Sequence, residues 1–198
     1  MNTAIVFNHP YEGSYCRAML RATTRGLVRR GHQVDLIHLD EDGFNPVMTA
    51  ADLLAFRAKA PVDPQVLAYQ QRLERADHLV FIFPIWWELM PALTKGFIDK
   101  VISPGVAYDY TNGENTLMRP LWKNLRGVTI LTTMNTPGWL YWLVFSNAIK
   151  KALLWGTFFK MGYRNLKWLS FNGVKGASKA KRERWLEQIE RRFAALAP

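Results

Sequence analysis

The stretch "FPIWWELMPALTKGFIDKV" (83–101) sets two adjacent tryptophans, Trp86 and Trp87, where an apolar run ends and helical spacing begins. Two large flat rings at such a junction suit a planar ligand, because they offer a stacking face beside backbone N–H groups. Tryptophan is more often a core or interface residue, and that reading stands beside the first. A second cluster, "NHPYEGSY" (8–15), places His9, Ser14 and Tyr15 around a helix start. Free N–H groups and the positive end of a helix dipole suit a phosphate, with the hydroxyls adding hydrogen bonds. Ser14 is equally suited to capping that helix, and His9-Pro10 to turning the chain. The spacing matches neither a Walker A loop nor GxGxxG, which disfavours a nucleoside triphosphate or a Rossmann-bound dinucleotide. A third cluster, "TTMNTPGW" (132–139), puts Thr132 and Thr133 at a strand end.

A frame must bring these clusters together, and the pattern supplies one. Short apolar runs at 4–7, 33–39, 78–84, 127–133 and 166–171 read as strands, the third of them apolar throughout, as in a parallel sheet buried on both faces. Helical patterns alternate with them. One runs from Ser14 to about Arg30 and stops at Gly31, another starts at Thr49, and others cover 64–76, 91–101 and 178–195. The segment 139–159, "WLYWLVFSNAIKKALLWGTFF", reads as one aromatic-rich amphipathic helix, and 103–120 as a long loop rich in glycine and tyrosine. With no repeats, low-complexity tracts or linkers, residues 1–198 read as a single domain.

Strands alternating with helices predict a three-layer α/β fold: a five-stranded parallel sheet in the flavodoxin-like order 2-1-3-4-5, with helices on both faces. Ligands of such sheets sit beyond the carboxyl ends of the strands, where the strand order reverses. The loops after the first, third and fourth strands meet there, and these carry the three clusters. A tricyclic isoalloxazine, which needs a stacking face and donors along its polar edge, fits that combination.

Composition narrows the setting. A formal net charge of +10 over 198 residues would attract phosphates, nucleic acid or an anionic surface, and by itself does not choose among them. The basic run "KGASKAKRERW" (175–185) leads into a helix that interleaves Glu183, Glu187 and Glu190 with its bases, as solvated helix faces do, so nucleic acid is given little weight. Cys16 is the only cysteine, which makes a reducing, cytoplasmic compartment the default. The first residues lack the pattern of a signal peptide, and Ser146, Asn147, Lys150 and Lys151 interrupt the most apolar segment well short of a membrane span. Four scattered histidines, at 9, 32, 38 and 78, give no metal-site spacing.

Several segments resemble the flavodoxin-like NAD(P)H:quinone oxidoreductases. "HPYEGSYCRAML" is similar to that family's "HPxxxSxxxxL" start, "PIWWELMPALTKGFIDKV" to its "P-x-x-W…PA-x-LK-G-x-x-D-[RK]-V" segment, and "GVAYDY" to its "G-x-AY" loop beside the substrate. The resemblance implies a homodimer that binds flavin at the subunit interface and passes hydride from NAD(P)H to flavin and then to a quinone, by a ping-pong mechanism. It implies that His9, Ser14, Tyr15 and Cys16 surround the flavin phosphate and that Pro84, Ile85, Trp86 and Trp87 line the isoalloxazine. It further implies that Thr132 and Thr133 hold the polar edge of the ring, and that Tyr108 and Tyr110 lie over the substrate side, with Tyr141 near the reactive edge. FMN is preferred to FAD because the chain is short. Quinones, azo dyes and nitroaromatics all suit an aromatic slot as acceptors. An alternative within the resemblance is a flavin-bearing regulatory partner of a potassium efflux system. One departure stands out: family members commonly carry Gly-Gly after the fourth-strand threonines, and this chain has Met134, Asn135, Thr136 and Pro137. A positive φ there suits Asn135 and would strain Thr136.

Overall fold

The computed structural model describes residues 1–111 and 117–197. Its central sheet contains β1 (Asn2–Phe7), β2 (Gln33–His38), β3 (His78–Pro84), β6 (Gly127–Met134) and β7 (Leu166–Asn172), in the order β2-β1-β3-β6-β7. All four pairings are parallel, so the order is the expected 2-1-3-4-5 counted over the sheet strands. β3 and β6 are buried at every residue, as the apolar runs demand for strands covered on both faces.

Alternation along the strands sends side chains to two cores. Ile5, Phe7, Val80, Ile82 and Leu131 face α1 (Tyr15–Arg29) and α6 (Lys179–Ala194), whose Met19, Leu27, Ile189 and Phe193 complete that layer. α1 and α6 approach so closely at Gly26 that a Cβ there would stand 2.4 Å from the Glu190 carbonyl oxygen. On the other face Val6, Phe81, Phe83 and Ile130 meet Phe97, Phe158 and their neighbours. That layer comprises α2 (Ala50–Ala58), α3 (Pro64–Glu74), α4 (Ala92–Val101) and the segment after β6. The helix starts follow local chemistry: Ser14 accepts from the Arg17 N–H, Thr49 forms a capping box with Asp52, and Asp63 accepts from Gln65 and Val66 ahead of Pro64.

Two expectations are corrected. Residues 139–159 do not form one helix. A short α5 (Gly138–Leu143) closes through an Asn147 N–H to Tyr141 carbonyl bond, Ser146 and Asn147 take positive φ, and a π-helical segment follows over Lys150–Phe159. Asparagine tolerates the left-handed region, so the polar pair that interrupts the apolar run also breaks the helix. The long loop 103–120 carries an antiparallel pair, β4 (Tyr108–Tyr110) with β5 (Met118–Pro120), whose connection at 112–116 lies outside the described residues. Periodicity cannot flag strands of three residues. Among the described residues no helix is long and apolar enough to cross a membrane, and no cluster of three or more His, Cys, Asp or Glu could hold a metal ion.

Candidate functional site

The site lies at the carboxyl ends of β1, β3 and β6, and register brings it together. β1 and β3 are neighbours, with Asn8 N–H bonded to the Ile82 carbonyl, so the residues that follow each strand meet: the His9 and Trp86 rings stand edge to face, 6.2 Å apart. β6 lies on the other side of β3, with Pro84 opposite Thr133 and the Ile85 N–H bonded to the Thr133 carbonyl at 2.8 Å. Asn8, which sequence reasoning did not single out, is buried and ties this end down: it donates to Asp40 and accepts from Thr94, both at 2.9 Å.

The β1 loop presents a helix N-terminus. Ser14 Oγ takes the Arg17 N–H, while the N–H groups of Tyr15 and Cys16 belong to the first turn, where no intrahelical acceptor exists. His9 Nδ1 accepts from the Tyr11 N–H, which leaves Nε2 to carry the ring proton as a donor. Partial burial pushes the His9 pKa down against the opposing pull of Asp40, so the ring is neutral near pH 7. Beside it opens a concavity of about 540 Å³ bordered by His9, Glu12, His38 and Asp40. Arg17 is committed to Glu12 and Glu41, at 2.6 and 3.0 Å.

Other side chains named from sequence turn inward. Tyr15 donates to the Arg182 carbonyl at 2.8 Å and packs against Phe171 and Trp185, which fastens α1 to α6; burial pushes its pKa up to about 12. Cys16 is buried beneath α1 with its sulfur 3.4 Å from Thr133 Oγ1, and burial raises its thiol to about 12, so no thiolate forms near pH 7. Thr132 Oγ1 accepts from the Trp168 indole at 2.9 Å on the opposite face. Tyr15 and Cys16 therefore have first-turn N–H groups to offer at this end, whereas the backbones of Thr132 and Thr133 are held by the flanking strands. Asn135 is exposed and accepts from the Lys175 N–H.

The aromatic shelf is the main surprise. Trp86 and Leu89 exchange two backbone hydrogen bonds, of 3.0 and 3.1 Å, around Trp87 and Glu88. Both central residues have positive φ, 50° and 62°, the signature of a type I′ turn that normally calls for asparagine or glycine. Each non-glycine residue held there costs about 1 kcal/mol or more. The strain expected at Thr136 is thus found one loop away, since neither Asn135 nor Thr136 takes positive φ. Trp87 is 98% exposed and Trp86 48%, which removes the core reading for both. Glu88 Oε1 accepts from the Thr136 hydroxyl at 2.7 Å, and the Glu88 carbonyl accepts from the Tyr141 hydroxyl at 2.8 Å. Glu88 Oε2 is shut from water with no partner among the described residues, at a cost of about 1–3 kcal/mol. No local signal marks Glu88 or Thr136, because their partnership spans 48 residues of chain.

Tyr108 and Tyr110 share one side of β4, as their spacing required, with ring centroids 5.6 Å apart at 89°. Tyr108 is buried in the core and Tyr110 half-buried, so the pair is not loose surface decoration. Burial and the Tyr110 hydroxyl both push the Tyr108 pKa up. Tyr141 is buried as well, its oxygen also accepting from the Ile149 N–H at 2.9 Å.

This strand order, with a helix start, an aromatic turn and a threonine strand end meeting where the order reverses, defines the doubly wound α/β class whose ligands sit at that point. The chain belongs to the Flavodoxin_2 family, described by its flavodoxin-like fold, whose model matches residues 1–193. It is 32% identical over 117 residues to a protein of Haemophilus influenzae named as an uncharacterized NAD(P)H oxidoreductase, a match covering 58% of this chain and 57% of that one. It is 30% identical over 123 residues to NAD(P)H dehydrogenase [quinone] 1 of Rattus norvegicus, covering 54% and 44%. The chain thus spans about half the length of these curated relatives. Among solved structures, NAD(P)H:quinone oxidoreductase from Methanothermobacter marburgensis superposes with a TM-score of 0.88 at 26% identity, over 100% of this chain and 99% of that one.

Proposed function

We propose that the chain is a flavin-dependent NAD(P)H:quinone oxidoreductase, a single cytoplasmic domain that takes FMN and works as a homodimer. One observation carries this reading: an exposed tryptophan shelf and a helix N-terminus stand side by side at the switch point, linked by the His9–Trp86 contact. The names of the Haemophilus, rat and Methanothermobacter proteins support the same activity. The residues present fit a flavin. The first turn of α1, Ser14 and the Nε2–H of neutral His9 supply donors for its phosphate, and the Trp86–Trp87 turn supplies a face for its ring.

Bound there, a flavin would supply the chemistry of hydride transfer between NAD(P)H and a quinone or similar aromatic acceptor, in two half-reactions. The protein's part is to bind, orient and exclude water. Pro84 and Ile85 would wall the slot beneath the tryptophans, and the end of β6, from Thr132 and Thr133 to Asn135, would hold the polar edge of the ring. Tyr108 and Tyr110 border the acceptor's side. One slot shared by donor and acceptor makes the kinetics ping-pong.

Dimerisation is supported by surface that one chain leaves uncovered: Trp139, Trp142 and Leu143 are 67%, 65% and 63% exposed, and Trp155 52%. Exposed apolar surface of this extent usually marks an interface. The deciding experiment is the visible spectrum of the purified protein, with mass identification of the released cofactor separating FMN from FAD. Failure of both to bind on reconstitution refutes the reading. Sedimentation of a flavin-loaded monomer at micromolar concentration refutes the dimer.

A further inference from the structure

The Trp87–Glu88 turn has a fastening that goes beyond what a hairpin needs. Its two backbone bonds close the turn but do not fix how it sits relative to the rest of the sheet end. Packing of Trp87 does not fix it either, since that side chain is 98% exposed and its orientation is inherited from the backbone beneath it. Glu88 supplies the missing hold. Its carboxylate takes the Thr136 hydroxyl from the β6 loop, and its carbonyl takes the Tyr141 hydroxyl from α5. Both donors are themselves tied down. The Thr136 carbonyl accepts from Asn172 Nδ2 at 3.2 Å, and Tyr141 is buried and bonded to the Ile149 N–H.

We propose that Glu88 is a positioning residue of this site, gripped by Thr136 and Tyr141 so that Trp87 stands as a fixed ring where a flat ligand stacks. A carboxylate placed for solvation would face water with both oxygens, whereas here one is bonded and the other is buried. The clasp also gives Thr136 a use. In the loop where this chain departs from the resembling family's Gly-Gly, the Thr136 hydroxyl reaches Glu88. A preformed shelf spares the ligand the ordering of a strained turn, so its effect falls on the release rate more than on association. The proposal rests on the flavin reading only for the identity of the ligand.

Hydrogen exchange of the ligand-free protein tests the clasp directly at the Trp86 and Leu89 amides. Thr136→Val and Glu88→Ala should each speed exchange there about tenfold, while the double variant should be no faster than either single one. Thr136→Ser keeps the hydroxyl and should exchange like the parent. Unchanged exchange in both single variants, additive effects in the double, or a Thr136→Ser variant as fast as Thr136→Val would overturn the proposal. Stopped-flow with FMN should then show release several-fold faster in Thr136→Val at an unchanged association rate. Equal release rates in parent and variant would overturn the positioning role. If the parent binds neither FMN nor FAD, the flavin reading fails while the exchange data still decide the clasp.

Discussion

At the amino ends of the strands most polar side chains are paired, the buried Thr3 hydroxyl being an exception among the described residues. His78 is 4% exposed with Nε2 2.9 Å from Thr129 Oγ1, Asp77 takes the Asn2 N–H at 2.6 Å, and Arg72 grips Asp35 from α3. At the carboxyl ends the terms reverse. Trp87 projects into solvent, two consecutive residues sit in the left-handed region, and a Glu88 oxygen is buried without a partner among the described residues. The same sheet therefore spends its interactions on stability at one end and tolerates strain at the other. Strain that the surroundings over-determine gathers where ligands bind, and in this topology ligands bind at the carboxyl ends.

The comparison can be broken in several ways, and the largest effect is expected at the amino end. Burial lowers the His78 pKa to about 4 from 6.5, so the folded chain keeps this ring neutral while the unfolded chain protonates it near 6.5. Between those values the unfolded state binds more protons. Stability therefore rises with pH across that window and is lost as acid takes the solution from about 6.5 towards 4, by up to about 3 kcal/mol. Urea titrations at a series of pH values should show this slope, and His78→Asn should flatten it. An unchanged slope would mean that other groups govern acid stability.

Next comes Trp87→Ala, expected to weaken FMN binding about tenfold, the loss of one stacking face, while the melting temperature stays put because the side chain buries nothing. Trp168→Ala should show the opposite pattern, costing about 2 kcal/mol of stability because its half-buried indole packs on Tyr141 and donates to Thr132. Fluorescence titration and thermal melts on both variants separate the two roles, and equal loss of flavin from both would erase the contrast between core and shelf.

Ser14→Ala should lower stability by about 1 kcal/mol through the lost cap, and should also weaken flavin, if the α1 start holds phosphate. Riboflavin, which lacks the phosphate, is the control: its binding should not change. The smallest effect is expected for Tyr110→Ala, a rise of a few-fold in apparent KM for quinone with the flavin spectrum intact, because only substrate positioning is lost. Loss of bound flavin from that variant would place β4 elsewhere in the site.

Much of this was legible in the chain itself. Apolar runs fixed the five strands to within two residues or so, because period and burial on a parallel sheet are local properties of sequence. Ser14, Thr49 and Pro64 announced their helices for the same reason: a cap bonds N–H groups two or three residues ahead, and proline fits a first turn. The loops that form the site followed from strand order. What could not be read were features set by distant partners. Tyr15, Cys16 and Thr132 carry suitable groups, yet packing against α6, the α1 core and Trp168 turned those groups inward. The break at Ser146 and Asn147 depended on Tyr141 as an anchor, and the left-handed pair at Trp87 and Glu88 contradicts local preference outright. Sequence alone determined the sheet, its order and the loops that this topology brings to the carboxyl ends of the strands, since hydrophobic period and capping act over a few residues. Tertiary structure alone decided which side chains reach that end, because a strained turn is held only by bonds between loops that the chain brings together after folding.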